Sequence, residues 1–128
     1  MIDTDSWLDY LLTDDEMADF IIDGYKILDA GVEESLNASI MERLNELETN
    51  PGDGVIELVP GLKDIYDSPR VRGALASLLG TDYSINDHLH CHRNPSGSRS
   101  QGWHQDNISV GKYPPRHDQH INQILMMY

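Results

Sequence analysis

Cysteine, basic side chains and long apolar runs are all scarce in this chain of 128 residues. Cys91 is the one cysteine. That excludes an intrachain disulfide and a zinc site built from several thiolates. Lys and Arg together number nine against 22 Asp and Glu, a formal charge of −13. Such a charge repels phosphate backbones, so nucleic acid is not an expected partner. The longest uninterrupted aliphatic run is Ile-Leu-Met-Met at 124–127, far short of the roughly 20 residues needed to span a bilayer. A membrane partner is therefore not expected. The opening Met1-Ile2-Asp3-Thr4-Asp5 is acidic, unlike a signal or transit peptide. The expectation is a soluble protein of the reducing cytoplasm. There is one Phe against six Tyr, and 39% of residues are hydrophobic. That suits a single domain with a modest core.

The charge is unevenly placed. Residues 1–50 hold eight Asp and six Glu against Lys26 and Arg43, a net −12. Residues 51–128 hold eight acids against seven bases, a net −1. The acidic half reads as solvated helical surface.

The first half has strong helix punctuation. Thr13-Asp14-Asp15-Glu16 is a capping box, with Met17, Phe20 and Ile21 following at helical spacing. Gly24 is placed to end that helix in the left-handed conformation. Residues 25–28 then read as a short strand. A second helix is expected from about 33 to 48, with Leu36, Ile40, Leu44 and Leu47 as its buried stripe and Glu33 and Glu34 favouring its start. Asn50-Pro51-Gly52-Asp53-Gly54 makes a loop, and residues 55–59 read as a short strand or extended segment. Ser68-Pro69 opens another helix, with Ser as cap and Pro in the first turn. Its apolar side is Val71, Leu75, Leu78 and Leu79, and Gly80 ends it.

The pattern then changes to alternation. Over 82–93, Ile85, Leu89 and Cys91 fall on one side, and Asn86, His88, His90 and His92 on the other, as in a half-buried strand. A loop rich in Gly, Ser and Pro spans 94–102, a strand carrying His104 and Asp106 follows, and residues 120–128 read as another strand. The expected fold class is therefore α+β, with helices over about 1–80 and strands over about 81–128. Three or four strands do not close a barrel, and open edges invite pairing. The chain reads as the front portion of a larger domain.

Gln101-Gly102-Trp103-His104-Gln105-Asp106-Asn107 carries the sharpest chemical signal. On a strand, His104 and Asp106 point to the same side. A neutral nitrogen and a charged oxygen there suit two places of a two-histidine, one-carboxylate facial triad for Fe(II). The plain alternative is a hydrogen-bonded polar pair. His88, His90 and His92 offer a rival. Imidazoles at i and i+2 lie about 7 Å apart on a strand, close enough for two to share a zinc ion of a hydrolase. The plain alternative is a polar pocket wall or surface. Arg93, Arg99 and Arg116 read as solvated loop residues that could meet an anionic substrate, and Cys91 as a small buried residue.

In order and spacing, the chain resembles the N-terminal part of the phytanoyl-CoA dioxygenase family. Three segments carry the resemblance. The first runs from Leu12-Thr13-Asp14-Asp15-Glu16 to Phe20-Ile21-Ile22-Asp23-Gly24-Tyr25. The second is Ser68-Pro69-Arg70-Val71 with Leu78-Leu79-Gly80, and the third is Trp103-His104-Gln105-Asp106-Asn107. The resemblance implies a double-stranded β-helix (a cupin-like jelly roll) with helices packed on its first strands. It implies a dioxygenase that hydroxylates a small organic substrate with Fe(II), O₂ and 2-oxoglutarate as co-substrate. It assigns His104 and Asp106 to the metal and places Gln105 near the co-substrate. The family's second metal histidine and its 2-oxoglutarate-binding arginine match nothing in this sequence. His117 and His120 follow Asp106 too closely to take the histidine's place. These 128 residues are accordingly expected to be inactive alone, and a non-catalytic or degenerate metal-binding relative is the alternative.

Overall fold

The computed structural model describes residues 6–86, 89, 91–92, 94–100, 102, 121 and 123–128. These contain five α-helices and two short 3-10 turns. Helix α1 (Asp14–Asp23) begins as the capping box requires. The Thr13 hydroxyl accepts from the Glu16 N–H at 3.3 Å, and a Glu16 carboxylate oxygen accepts from the Thr13 N–H at 2.9 Å. Gly24 ends the helix at φ 77°, donating its N–H to the Phe20 carbonyl at 2.9 Å. The expected apolar stripe is only partly seated. Met17 and Phe20 are half-buried, but Ile21 is exposed. None of the well-packed helix pairs includes α1.

Helix α2 (Glu34–Glu46) buries Ile40 to 2% exposure and half-buries Leu36, Leu44 and Leu47. It meets helix α4 (Gly61–Tyr66) at Gly61. A Cβ there would lie 3.0 Å from Ile40 Cγ1 and 3.2 Å from Leu36 Cδ1, so only glycine admits this approach without displacing them.

Residues 55–59 are not extended. The 3-10 turn Gly52–Gly54 runs straight into helix α3 (Val55–Leu58). Helical spacing puts Val55 and Val59 on one buried side and leaves Glu57 in solvent. In a strand, Val55, Glu57 and Val59 would share a side, and burying both valines would bury the carboxylate too. The β-branched composition points to a strand, but side-chain burial decides for a helix.

Helix α5 (Pro69–Leu79) opens on Ser68, whose buried hydroxyl accepts from the Val71 N–H at 3.4 Å. Its innermost residues are Val71, Gly73 and Ala74, while Leu75, Leu78 and Leu79 are half-buried. The shift has a plain cause. The first 3-10 turn (Ser6–Tyr10) packs directly on α5 at Gly73. A Cβ on Gly73 would fall 2.8 Å from the Trp7 carbonyl oxygen and closer still to the Tyr10 carbonyl. The Ser77 hydroxyl ties the same junction. It donates to the Gly73 carbonyl and accepts from the Leu12 N–H, both at 2.9 Å. Val55, Val59, Leu62, Ile65, Val71 and Ala74 complete the core with Ile40.

The expected α+β jelly-roll architecture is overturned, because no β-strand occurs among the described residues. Residues 25–28, the described part of 82–93, and the described part of 120–128 all lie outside helix and strand. Alternation marks a segment able to be a strand, but a strand exists only when a ladder satisfies its main chain. The chain divides into units 1–92 and 93–128. In the second, Gly97 at φ 83° belongs to a turn closed by the Ser98 N–H on the Pro95 carbonyl at 3.0 Å.

Candidate functional site

His104, Gln105 and Asp106 lie outside the described residues, as do His117, His120, Arg93 and Arg116. His88 and His90 do so as well, whereas His92 is described and exposed. Arg99 is exposed and Cys91 is half-buried, less enclosed than expected of a small core residue. Among the described residues, no group of three or more His, Cys, Asp or Glu side chains could hold a metal ion.

The structure does show what holds the main chain at Leu89 and Cys91. Asn50 accepts the Gly52 N–H on its side-chain oxygen at 2.9 Å, a local turn that fixes the amide. Its NH₂ group then donates to the Cys91 carbonyl at 2.6 Å. Three residues on, Asp53 accepts the Leu89 N–H at 3.1 Å. Two side chains of the Asn50-Pro51-Gly52-Asp53 loop thus anchor main-chain groups at 89 and 91. The loop was legible in the sequence. Its second task was not, because partners 36 and 41 positions away leave no local mark.

Beside these anchors lies an open groove of about 450 Å³. Ile56 and Glu57 of α3 and Lys63 and Tyr66 of α4 form one wall, and Ile85, Asn86 and Leu89 another. Lys63 donates to the Asp67 carboxylate at 2.7 Å, and this bond holds the ammonium above its usual pKa. Burial pushes the Tyr66 phenol up, so it is a neutral hydroxyl across the physiological range. The groove can therefore offer hydrogen bonds and the apolar side chains of Ile56, Ile85 and Leu89 to a molecule lying across it.

No family model, curated protein or solved structure matches this chain.

Proposed function

We propose that the chain supplies two ligands, His104 and Asp106, to an Fe(II) centre of the 2-oxoglutarate-dependent oxygenase type, as a relative of the phytanoyl-CoA dioxygenase family. The observation that carries the reading is Trp103-His104-Gln105-Asp106-Asn107, preceded in order by two punctuated helical segments. Both segments fall on described residues and form the expected helices, whereas the strand expected at 25–28 after the first does not form. The first is the Thr13–Glu16 box ending at Gly24, and the second is the Ser68-Pro69 helix ending at Gly80. The proposal does not rest on a jelly roll.

His104 would contribute a neutral imidazole nitrogen and Asp106 an anionic oxygen, the donor pair that suits a ferrous ion. Gln105 between them would face the co-substrate. With 2-oxoglutarate and O₂, the bound metal supplies the hydroxylation of a small organic substrate. A carboxylate at 106 also fills a position that a halide would otherwise take, which favours hydroxylation over halogenation. The acid balance and the single Cys91 fit a reducing cytoplasm, where we place the protein. Among the described residues, no helix is long and apolar enough to cross a membrane.

The second reading is a non-catalytic metal-binding relative, in which His104 and Asp106 hold a metal without turnover. The exposed His92 lends no support to a zinc hydrolase built on His88, His90 and His92.

Anaerobic calorimetric titration with Fe(II), with and without 2-oxoglutarate, tests the proposal on the parent chain, His104→Ala and Asp106→Ala. The expected result is weak binding to the parent, reduced about 10–100-fold in each variant. Equal binding by all three overturns the proposal. The 128 residues are expected to form no succinate, and 2-oxoglutarate-dependent succinate would eliminate the non-catalytic reading.

A further inference from the structure

Five large apolar side chains stand in solvent within eight residues at and after the end of α1. Ile21 is 67% exposed, Ile22 79%, Tyr25 65% and Ile27 89%, with Leu28 partly covered. Large apolar side chains exposed this close together in the chain point to a contact site. The main chain there is equally free. Among the described residues, the N–H and C=O groups of Tyr25, Lys26, Ile27 and Leu28 form no hydrogen bond.

The segment is nevertheless held. Lys26 turns inward, its ammonium 2.9 Å from a Glu16 carboxylate oxygen, while Tyr25 and Ile27 on either side stay exposed. Exposed, inward and exposed side chains at 25, 26 and 27 follow the alternation of an extended chain, with Leu28 38% exposed. Gly24 fixes one end by closing α1, and Asp29 fixes the other through a 2.7 Å ion pair with Arg70. Residues 25–28 thus have free backbone groups, outward Tyr25 and Ile27 and anchored ends, which an extended peptide could pair with.

Charge narrows the occupant. Asp14, Asp15, Asp19, Asp23, Asp29, Glu33 and Glu34 neighbour the segment in the chain and are exposed. Lys26, the one cation in that stretch, is already paired with Glu16, and of these acids Asp29 is already paired with Arg70. A second copy of the chain would set two such acidic rims against each other, whereas a cationic segment would neutralise them.

We propose that residues 25–28, just past the end of α1, are a docking segment for an extended, lysine- or arginine-bearing segment of another polypeptide, which pairs with it as a β-strand. Its apolar side chains lie against Tyr25 and Ile27, beside Ile22 at the end of α1, and its cations meet Asp19 and Asp23. This does not depend on the metal reading.

Fluorescence anisotropy with the full chain and three labelled synthetic peptides tests it. One peptide alternates valine and lysine, the second valine and glutamate, and the third serine and lysine. Only the valine–lysine peptide is expected to bind well, and Ile27→Asp combined with Tyr25→Ser should weaken it by about tenfold or more. Both side chains are exposed, so the variant should keep the parent's circular dichroism. Hydrogen exchange at 25–28 should slow when the peptide is bound. Equal binding of the serine–lysine peptide reduces the edge to a charge effect and overturns the proposal. So does binding that the double variant leaves unchanged, or no binding at all. A dimer of the chain alone that Ile27→Asp dissolves would overturn it in favour of a second copy.

Discussion

Arg70 and Asp29, 41 positions apart, meet with an N–O distance of 2.7 Å, and the same guanidinium lies 5.7 Å from the centre of the Tyr10 ring. One side chain of α5 thereby fastens both the opening 3-10 turn and the linker between α1 and α2. Asp29 is prepared for this by its other oxygen, which accepts the Gly31 N–H at 2.8 Å. Both partners are substantially exposed, so the ion pair itself is worth at most about 1 kcal/mol. Its value lies in where it holds the linker.

Gly31 is the residue on which that clasp closes. Its φ is +67°, and a Cβ would lie 2.9 Å from Arg70 Nε. Gly31→Ala is expected to cost about 1–2 kcal/mol, from backbone strain and from displacing the guanidinium. In urea melts, the cost should shrink when Arg70→Ala is already present, since only the strain remains. Fully additive losses would show that the contact with Arg70 contributes nothing.

At Gly73 the neighbours are backbone and cannot rotate away. Alanine there gains about 1 kcal/mol of helix propensity but drives a methyl group into the carbonyls of Trp7 and Tyr10. Gly73→Ala should be destabilising by about 1–3 kcal/mol. The Leu12 amide, bonded to the Ser77 hydroxyl, should exchange faster with solvent. A variant as stable as the parent would mean that the 3-10 turn is not seated on α5.

Glu16 links the capping box to Lys26. The Thr13 backbone N–H, then the Lys26 ammonium and then the Thr13 hydroxyl all favour its carboxylate, lowering its pKa from 4.5 to about 2. A lowered pKa stabilises the folded form above the unfolded value. That contribution is therefore complete above about 4.5 and is lost as pH falls toward about 2. Carboxyl-detected NMR titration should find the Glu16 midpoint far below those of the other glutamates, and Glu16→Gln should remove that part of the acid dependence. An ordinary midpoint near 4.5 would show that the box does not persist in solution.

Where the sequence was readable, the interaction was short. Thr13 with Glu16, Gly24 with Phe20, and Ser68 with Val71 all join residues within four positions, so each motif contains its own partner. Residues 55–59 misled because branched side chains favour strands only as long as burial agrees, and Glu57 stands in the way. The strands expected on described residues failed for a related reason. Alternation describes one side of a ladder and says nothing of the other. His104 and Asp106 remain legible as a motif alone, because their spacing does not by itself decide between a metal-donor pair and an ordinary polar pair.

The sequence by itself determined the acid balance, the starts and stops of α1 and α5, and the choice of glycine at 24 and 80, because these rest on charge and on neighbouring residues. Tertiary structure alone decided that α3 is a helix, that Gly61 and Gly73 are the points of closest approach, and that Asn50 and Asp53 hold the segment at 89–91. It also decided that Ile21, Ile22, Tyr25 and Ile27 stay in solvent. Each of these depends on which distant surface arrives at a residue, and the residue's own chemistry is compatible with several answers until that surface is in place.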